Sequence, residues 1–370
     1  MFEKCIDITN SFLDMGIPGN SLVIYKDGKC VLRHSAGYSD RENKIPMTGN
    51  ETFDIYSCSK ILTCTAALQL WEQGKFQLTD KLSDYLPEFK EMTVQTESGI
   101  VPAKNPITIK HLFTMTAGFS YDVNSPAVKA CREATDGKCP TREFMKYLAK
   151  EPLLFEPGDQ YKYSLCHDVL AAVVEVISGE KFEDYVQTHI FDPVGMTHSA
   201  FLARPVVCKY RYDADLQKVL PTSGNIYRIG TQYASGGAGA VSTLDDYSAF
   251  LEALRTDRLL KPKTLQMMTT NHLTEYQKRT YPMMGRGYGL GVRTPIEGNP
   301  HSEFGWGGAA GAYAAVDKKH GFTLFYIQHV LSASPVNAVR RQLYEQVFDE
   351  VTGMDTTSKA QNELEKHLTY

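Results

Sequence analysis

The sequence predicts an α/β (α+β) fold in which helices flank a central antiparallel sheet and an all-helical insert interrupts it. Strand-like runs lie near both ends of the 370-residue chain, whereas the middle is dominated by apolar residues at helical spacing. The sheet is therefore expected from residues 1–75 and 285–352, and the insert from residues 76–284. Together these predict a single domain over residues 1–352, followed by a polar C-terminal tail at 353–370.

The first elements are predicted in the order helix, strand, strand and helix. Apolar residues recur at helical spacing over residues 3–15. Two β-rich runs, Ser21–Tyr25 and Cys30–His34, then flank Asp27-Gly28, a dipeptide typical of a hairpin turn. The apolar positions of Ser57–Gln73 recur every three or four residues, which predicts the clearest helix of this half.

The middle of the chain begins with residues 91–106, whose composition predicts an irregular loop. Helical spacing then recurs at 108–113, 141–150, 168–178, 181–190, 243–255 and 262–270. The last part is predicted to hold strands at 287–292, 311–316 and 321–328 and an amphipathic helix at 336–351.

Composition and charge exclude several classes of protein. The chain is 42% hydrophobic and 22% charged, with a net charge of -4 and no basic stripe, so nucleic acid is not an expected partner. No apolar run reaches the roughly 18–20 residues of a transmembrane segment, and the N-terminus lacks a secretory pattern. Eight scattered cysteines without a Cys-x-x-Cys pair predict free thiols and a cytoplasmic location. Neither zinc-type spacing nor a phosphate loop occurs, so no metal or cofactor is expected.

A Ser-x-x-Lys motif, Ser57-Cys58-Ser59-Lys60, starts the predicted helix at residue 57. A hydroxyl needs a base to become a nucleophile, and residues three apart on a helix share one face. The helix N-terminus also disfavours a protonated amine and favours an alkoxide. Taken alone, the pair fits an N-cap serine and a surface lysine equally well, and a second copy at Ser178 and Lys181 lies where a helix ends.

Further segments resolve this ambiguity, because in chain order they match one family. They are Ile17–Gly19, Phe53–Lys60, Ile107–Gly118, Phe155–Gly158 leading into Tyr163-Ser164, Gly236–Gly239 leading into Ser242-Thr243, and Gly305–Ala309. Together they resemble the serine β-lactamase-like superfamily, especially class C β-lactamases, D-amino-acid-releasing peptidases and family VIII carboxylesterases. The resemblance implies a β-lactamase/transpeptidase-like fold and an acyl-enzyme formed on Ser57.

The resemblance also implies which groups move protons. Lys60 and Tyr163 would serve Ser57, with Tyr163 matching the tyrosine of the family's Tyr-x-Asn motif; in isolation Tyr163 would be read as a packed aromatic residue. Leu165 stands where that motif usually carries asparagine, so an amide that could orient a bound lactam is missing. Asp168 resembles a position in some family VIII esterases, but its simplest interpretation is the N-cap of the next helix.

The family's third motif corresponds here to Trp306-Gly307-Gly308, whose glycines would let backbone approach the substrate. By analogy, the backbone N–H groups of Ser57 and Ala309 would form the oxyanion hole. Trp306 replaces the cation that would hold a substrate carboxylate, although core packing also explains a tryptophan here. This replacement favours an uncharged ester.

The expected activity is therefore a serine carboxylesterase with weak or no β-lactamase activity, acting on a small-molecule ester or amide. Trp306, Gly307, Gly308, Tyr121 and Leu165 are the expected substrate-binding residues. The alternatives are a β-lactamase, a D-aminopeptidase or an acyltransferase using the same serine. From a different class, a penicillin-binding-like protein would be acylated without turnover. The sequence predicts neither the natural substrate nor the oligomeric state.

Overall fold

A computed structural model describes residues 2–283 and 285–356, so most of the predicted C-terminal tail lies outside the described residues. The strands are β1 (Gly19–Lys26), β2 (Lys29–Asp40), β3 (Ile45–Pro46), β4 (Phe53–Asp54), β5 (Thr93–Thr96), β6 (Gly99–Pro102), β7 (Lys209–Asp213), β8 (Lys218–Thr222), β9 (Val241–Ser242), β10 (Gly287–Tyr288), β11 (Arg293–Thr294), β12 (Phe304–Gly307), β13 (Tyr313–Asp317), β14 (Phe322–Gln328) and β15 (Val330–Leu331).

The helices lie between these strands and near both ends of the described chain. They are α1 (Glu3–Asp14), α2 (Ser59–Glu72), α3 (Ile109–Phe113), α4 (Pro126–Ala134), α5 (Thr141–Leu148), α6 (Cys166–Ser178), α7 (Phe182–Val186), α8 (Asp192–Val194), α9 (Leu244–Arg255), α10 (Pro262–Met268), α11 (Glu275–Lys278) and α12 (Ser334–Thr352). Short 3₁₀ turns lie at Tyr56–Cys58, Leu82–Asp84 and Pro87–Phe89, and a π turn at Gln187–Phe191.

The two ends of the chain build one antiparallel sheet, as predicted. Its eight strands run in the order β10-β11-β12-β13-β14-β1-β2-β3. The N-terminal strand β1 pairs with β14 from Asn20 opposite Gln328 to Lys26 opposite Phe322. Since β1 and β14 are central, both of their faces are covered, which explains the continuous apolar sequence of β14.

Side chains alternate between two cores along β14. Leu324 and Tyr326 face a core formed with α1 and α12, whereas Phe325 and Ile327 face the larger core that contains α2 and α9. This alternation fixes the register, because a shift of one residue would exchange the two faces.

The region between the predicted halves of the sheet is mixed, not all-helical. Residues 91–106, predicted as a loop, contain the hairpin β5–β6, and residues 209–222 contain a second hairpin, β7–β8. Helix α9 also lies within the predicted insert, but it packs on the main sheet against β13 and β14. The boundary between sheet and insert therefore remains a prediction.

Hydropathy gives one further observation. Within residues 2–283 and 285–356, no helix combines the length and the apolar character needed to cross a bilayer.

We expect Phe325→Ala to lower the free energy of unfolding by about 3–5 kcal/mol, because it opens a cavity in the larger core. The Phe325 ring is fully buried and lies 4.6 Å from the ring of Tyr247. Urea unfolding followed by circular dichroism measures the change. Ile100→Ala is the control, since Ile100 is 60% exposed on β6 and should shift stability by less than about 0.5 kcal/mol.

Candidate active site

Ser57 lies in the 3₁₀ turn Tyr56–Cys58 that leads directly into α2. The preceding residue, Tyr56, has a φ of 46°, in the left-handed region that side chains with a Cβ rarely adopt. Its ring is buried, so packing holds the strained backbone in place. The result is a sharp turn that presents a serine only 9% exposed at the tip of a helix.

Hydrogen bonds fix this turn to the elements around it. Ser59 Oγ donates to the carbonyl of Tyr56 and accepts from the backbone N–H of Ala240, at 2.5 and 3.0 Å. Tyr247 Oη donates to the carbonyl of Cys58 at 2.8 Å. The turn that carries Ser57 is therefore held by both α9 and the glycine-rich segment at 236–240.

Lys60 is fully buried, and its amine is surrounded by acceptors. Nζ donates to Ser57 Oγ at 3.4 Å, to the carbonyl of Gly237 at 2.7 Å and to Tyr121 Oη at 3.2 Å. As an ammonium, Lys60 would donate one proton to each of these three acceptors; as a neutral amine, it would donate to Gly237 and Tyr121 and turn its lone pair toward the Ser57 hydroxyl. A buried amine without such partners would be strongly destabilising. The predicted pairing of Ser57 with Lys60 is thus present as a direct contact.

Tyr163 contacts the lysine through its ring. Lys60 Nζ lies 4.4 Å from the Tyr163 ring centroid, which is a cation–π distance. The ring stacks on Trp306 at 5.8 Å, and the Trp306 indole N–H donates to Tyr163 Oη at 3.2 Å. No hydrogen bond joins Tyr163 and Ser57 in this part of the structure. Tyr163 and Trp306 are therefore neighbours in one wall of the site, with the phenol engaged by the indole.

Tyr121, predicted only as a substrate-binding residue, contacts Lys60 directly. Its hydroxyl contacts the Lys60 amine, and its ring lies 5.4 Å from that of Tyr163 and 5.2 Å from that of Tyr227. Burial raises the pKa of Tyr121 well above its usual value, and the neighbouring Tyr163 adds to this. The phenol is thus held protonated beside the lysine.

The glycine at 308 brings β12 close to the nucleophile turn. A Cβ placed on Gly308 would lie 2.5 Å from the carbonyl oxygen of Ile55, two residues before Ser57. Gly307 is less crowded, since a Cβ there would lie 3.2 Å from the carbonyl of Ala312. Only a residue without a side chain allows this approach, which places the exposed Ala309 beside the serine turn.

Asp168 was expected as a helix N-cap, and this expectation is wrong. Helix α6 begins at Cys166, with Leu165 as its N-cap residue, so Asp168 lies in the first turn. Its carboxylate is fully buried, and Oδ1 accepts hydrogen bonds from Ser235 Oγ at 2.6 Å and Tyr233 Oη at 2.9 Å. Burial raises the pKa of Asp168, whereas the Ser235 hydrogen bond and the Lys60 charge lower it.

The second oxygen of this carboxylate faces the lysine across Gly237. Asp168 Oδ2 accepts no hydrogen bond from a described side chain, and the backbone N–H of Gly237 is close enough to lower the pKa of the carboxylate. A Cβ on Gly237 would lie 2.5 Å from this oxygen and 3.3 Å from Lys60 Nζ. Gly237 therefore leaves open the space between carboxylate and amine. A buried acid in helical sequence carries no local signal of this contact, because the contact depends on how α2, α6 and the 236–240 segment pack.

The remaining predicted residue, Leu165, is 5% exposed, and its backbone N–H donates to the carbonyl of Ser120 at 3.1 Å. It therefore connects α6 to the segment that carries Tyr121. An apolar side chain here offers no hydrogen bond to a substrate amide.

The antiparallel sheet between helices and the serine–lysine contact at the tip of α2 define a serine hydrolase with the β-lactamase fold. The chain belongs to the Beta-lactamase family, whose sequence profile matches residues 7–347.

Individual relatives agree with this assignment. The esterase EstB of Burkholderia gladioli is 26% identical over 344 residues, covering 84% of this chain and 85% of EstB. The solved structure of EstCE1, described as a hydrolase with promiscuous acyltransferase activity, is 27% identical. It has a TM-score of 0.77 and covers 92% of this chain and 98% of its own. A D-amino acid amidase from Ochrobactrum anthropi SV3 shares the fold at 19% identity and a TM-score of 0.74, covering 95% and 99% of the two chains.

We expect Gly308→Ala to slow the acylation of the serine about 10²-fold, because the new methyl group pushes the end of β12 away from the nucleophile turn. Labelling by a fluorophosphonate probe measures the rate, and thermal unfolding measures stability. Gly307→Ala is the matched control and should lose much less, since its methyl group meets only one atom at 3.2 Å. Equal losses in both variants would show that Gly308 has no special role in positioning Ala309.

Proposed function

We propose that the protein is a carboxylesterase that forms an acyl-enzyme on Ser57. One observation carries the proposal: Ser57 Oγ is hydrogen-bonded to an amine that is fully buried and has no solvent contact. In such a site a neutral Lys60 can accept the hydroxyl proton as Oγ attacks the ester carbonyl. The esterase relative EstB supports the choice of ester over other acyl substrates.

The proposed reaction has two steps. In the first, Ser57 Oγ bonds to the carbonyl carbon, its proton passes to Lys60 Nζ, and the backbone N–H groups of Ser57 and Ala309 stabilise the oxyanion. The leaving alkoxide then takes a proton from Lys60 or through the hydroxyl of Tyr163 or Tyr121. In the second step water attacks the acyl carbonyl and passes a proton to Lys60 Nζ, the bond between Ser57 Oγ and the acyl carbon breaks, and Lys60 returns the proton to Oγ as the acid leaves.

Trp306 and Leu165 support an ester that is uncharged where it lies against them. The Trp306 side chain is 5% exposed and bonds Tyr163, so it offers no positive charge to a substrate carboxylate. Leu165 offers no amide to a lactam. A β-lactam, which carries both groups, should be a poor substrate.

The cysteines support the proposed cytoplasmic compartment. All eight are free thiols, six of them buried. Buried unpaired thiols are typical of chains kept in a reducing environment.

Steady-state hydrolysis of p-nitrophenyl butyrate and of nitrocefin tests the proposed function. We expect the ester to be the better substrate and Ser57→Ala to lower its turnover at least about 10³-fold. Ser178→Ala is the matched control, because Ser178 belongs to the second Ser-x-x-Lys copy and donates to the carbonyl of Val174. A preference for nitrocefin would favour a β-lactamase. A stoichiometric burst without further release would favour a penicillin-binding-like protein, and ester formation with an added alcohol would favour an acyltransferase.

We also propose that Asp168 is a positioning residue for Lys60, because its carboxylate lies across Gly237 from the amine and would stabilise the ammonium that forms during acylation. Asp168→Asn should lower kcat/KM for p-nitrophenyl butyrate about 10- to 100-fold. Without the carboxylate the charged amine is less favoured, so the rising limb of the pH–rate profile should move to lower pH. Asp246→Asn is the control, because Asp246 is a buried acid that bonds Ser199 and His198, and its limb should not move. An unmoved limb in Asp168→Asn would leave only a structural role.

A further inference from the structure

A group of basic residues surrounds Asp54, which lies on β4 just before the turn that carries Ser57. Asp54, two residues before the turn of Tyr56, is 4% exposed and forms ion pairs with Lys209 at 2.8 Å and Arg228 at 2.7 Å. One buried carboxylate thus faces two cations. The charge of this wall is positive before any other residue is counted.

Arg211 adds a third cation to the same wall. Successive side chains of a strand alternate between faces, so Arg211 projects on the same side of β7 as Lys209. Arg211 is exposed, and among the described residues no carboxylate lies within ion-pair distance of it. Unlike Lys209, Arg211 is thus not held in an ion pair among the described residues, although Asp213 follows it on the same side of β7.

This guanidinium lines a cleft that includes the proposed oxyanion residue. The cleft has a volume of about 110 Å³, and Tyr56, Tyr227 and Ala309 line it together with Arg211. Trp306 and Leu165 are not among its lining residues. Ser57 is not a lining residue either, so the cleft adjoins the proposed site at Tyr56 and Ala309 and is separate from the wall that favours an uncharged ester.

A larger cavity of about 420 Å³ adjoins the cleft and shares Gly224 with it. Its basic lining residues are Arg204, Lys209 and Arg228, and Asp54 is the only acid in the described lining of either space. The described lining of the two spaces thus carries four cations, Arg211 included, against one acid, a balance that favours an anion over a neutral ligand.

We infer that this cleft binds a carboxylate carried by one end of the ester substrate, with Arg211 as the residue that recognises it. A guanidinium matches the planar geometry of a carboxylate and can bind it through two N–H groups. The inference rests on the proposed esterase function and names its substrate class: half-esters of dicarboxylic acids, or esters of hydroxy acids. The reacting carbonyl lies between Ser57 and Ala309, and the carboxylate lies beyond Ala309.

Two pairs of esters of equal length test this assignment. For the acyl side, the mono-p-nitrophenyl ester of adipic acid is compared with p-nitrophenyl hexanoate. For the alcohol side, 4-acetoxybenzoate is compared with phenyl acetate. We expect the wild-type protein to prefer the anionic member of at least one pair. Arg211→Gln should lower kcat/KM for that anionic ester about five- to tenfold, whereas kcat/KM for the neutral ester should change less than about twofold. The preference should weaken as ionic strength rises.

Arg341→Gln is the matched control, because Arg341 is an exposed arginine on α12 that is paired with Glu345. Arg341→Gln removes one positive charge far from the cleft, so it should leave the ratio of anionic to neutral ester turnover unchanged in both pairs. Arg211→Glu should reverse the preference toward p-nitrophenyl 6-aminohexanoate, which carries a cation in place of the carboxylate. The inference is wrong if Arg211→Gln leaves the ratio of anionic to neutral ester turnover unchanged in both pairs.

Binding without turnover separates the two proposals. Monomethyl adipate is titrated into Ser57→Ala protein and into the Ser57→Ala/Arg211→Gln double variant, with methyl hexanoate as the neutral ligand, and NMR follows binding. Weaker binding of monomethyl adipate alone in the double variant supports the anion site even if the wild-type protein fails to hydrolyse esters. Equal binding in both variants contradicts it even if hydrolysis of neutral esters is rapid.

Discussion

A lysine amine buried without solvent contact is the constraint on which the site depends. Such a group is tolerated only where acceptors surround it, and Lys60 finds them on Ser57, Tyr121 and the backbone of Gly237. Each acceptor comes from a different part of the chain, so the amine acts as a point of attachment between them. A change that moves any one of these parts leaves a buried donor unsatisfied and disturbs the nucleophile at the same time.

Glycine makes this convergence possible in two places. At Gly308 the lack of a side chain lets β12 contact the turn before Ser57, and at Gly237 it lets a carboxylate approach the amine. Both are steric requirements, because the nearest atoms are backbone or a buried carboxylate that cannot move aside. The chemistry of the site therefore rests as much on the space left by glycines as on the polar groups themselves.

Sequence patterns predicted the elements with strong periodicity. Helix α2, strand β1 and the apolar strand β14 were expected close to their observed bounds, because each has an apolar pattern that only one type of structure can bury. Strand β2 was predicted in the right place but continues to Asp40, well beyond the predicted end at His34. The hairpin β5–β6 was predicted as a loop, since its short strands are only partly buried and lack a strong apolar alternation.

The site was predictable where a local motif records it. Ser57 and Lys60 share one helical turn, so their contact follows from spacing, and Tyr163 was added through the resemblance to a family. Asp168 was assigned to the wrong role because its partners, Ser235 and Tyr233, lie on a distant segment. Contacts between segments far apart in sequence leave no periodic signal in either segment.

The pairing of β1 with β14 also has a consequence for the time course of folding. The serine turn at residues 56–58 is synthesised well before the strands at residues 304–328, which complete the sheet and flank Ala309. Closing such a long loop is a slow step that local structure cannot replace. Until those strands have formed, a nascent chain would thus carry its serine without the surroundings needed to react.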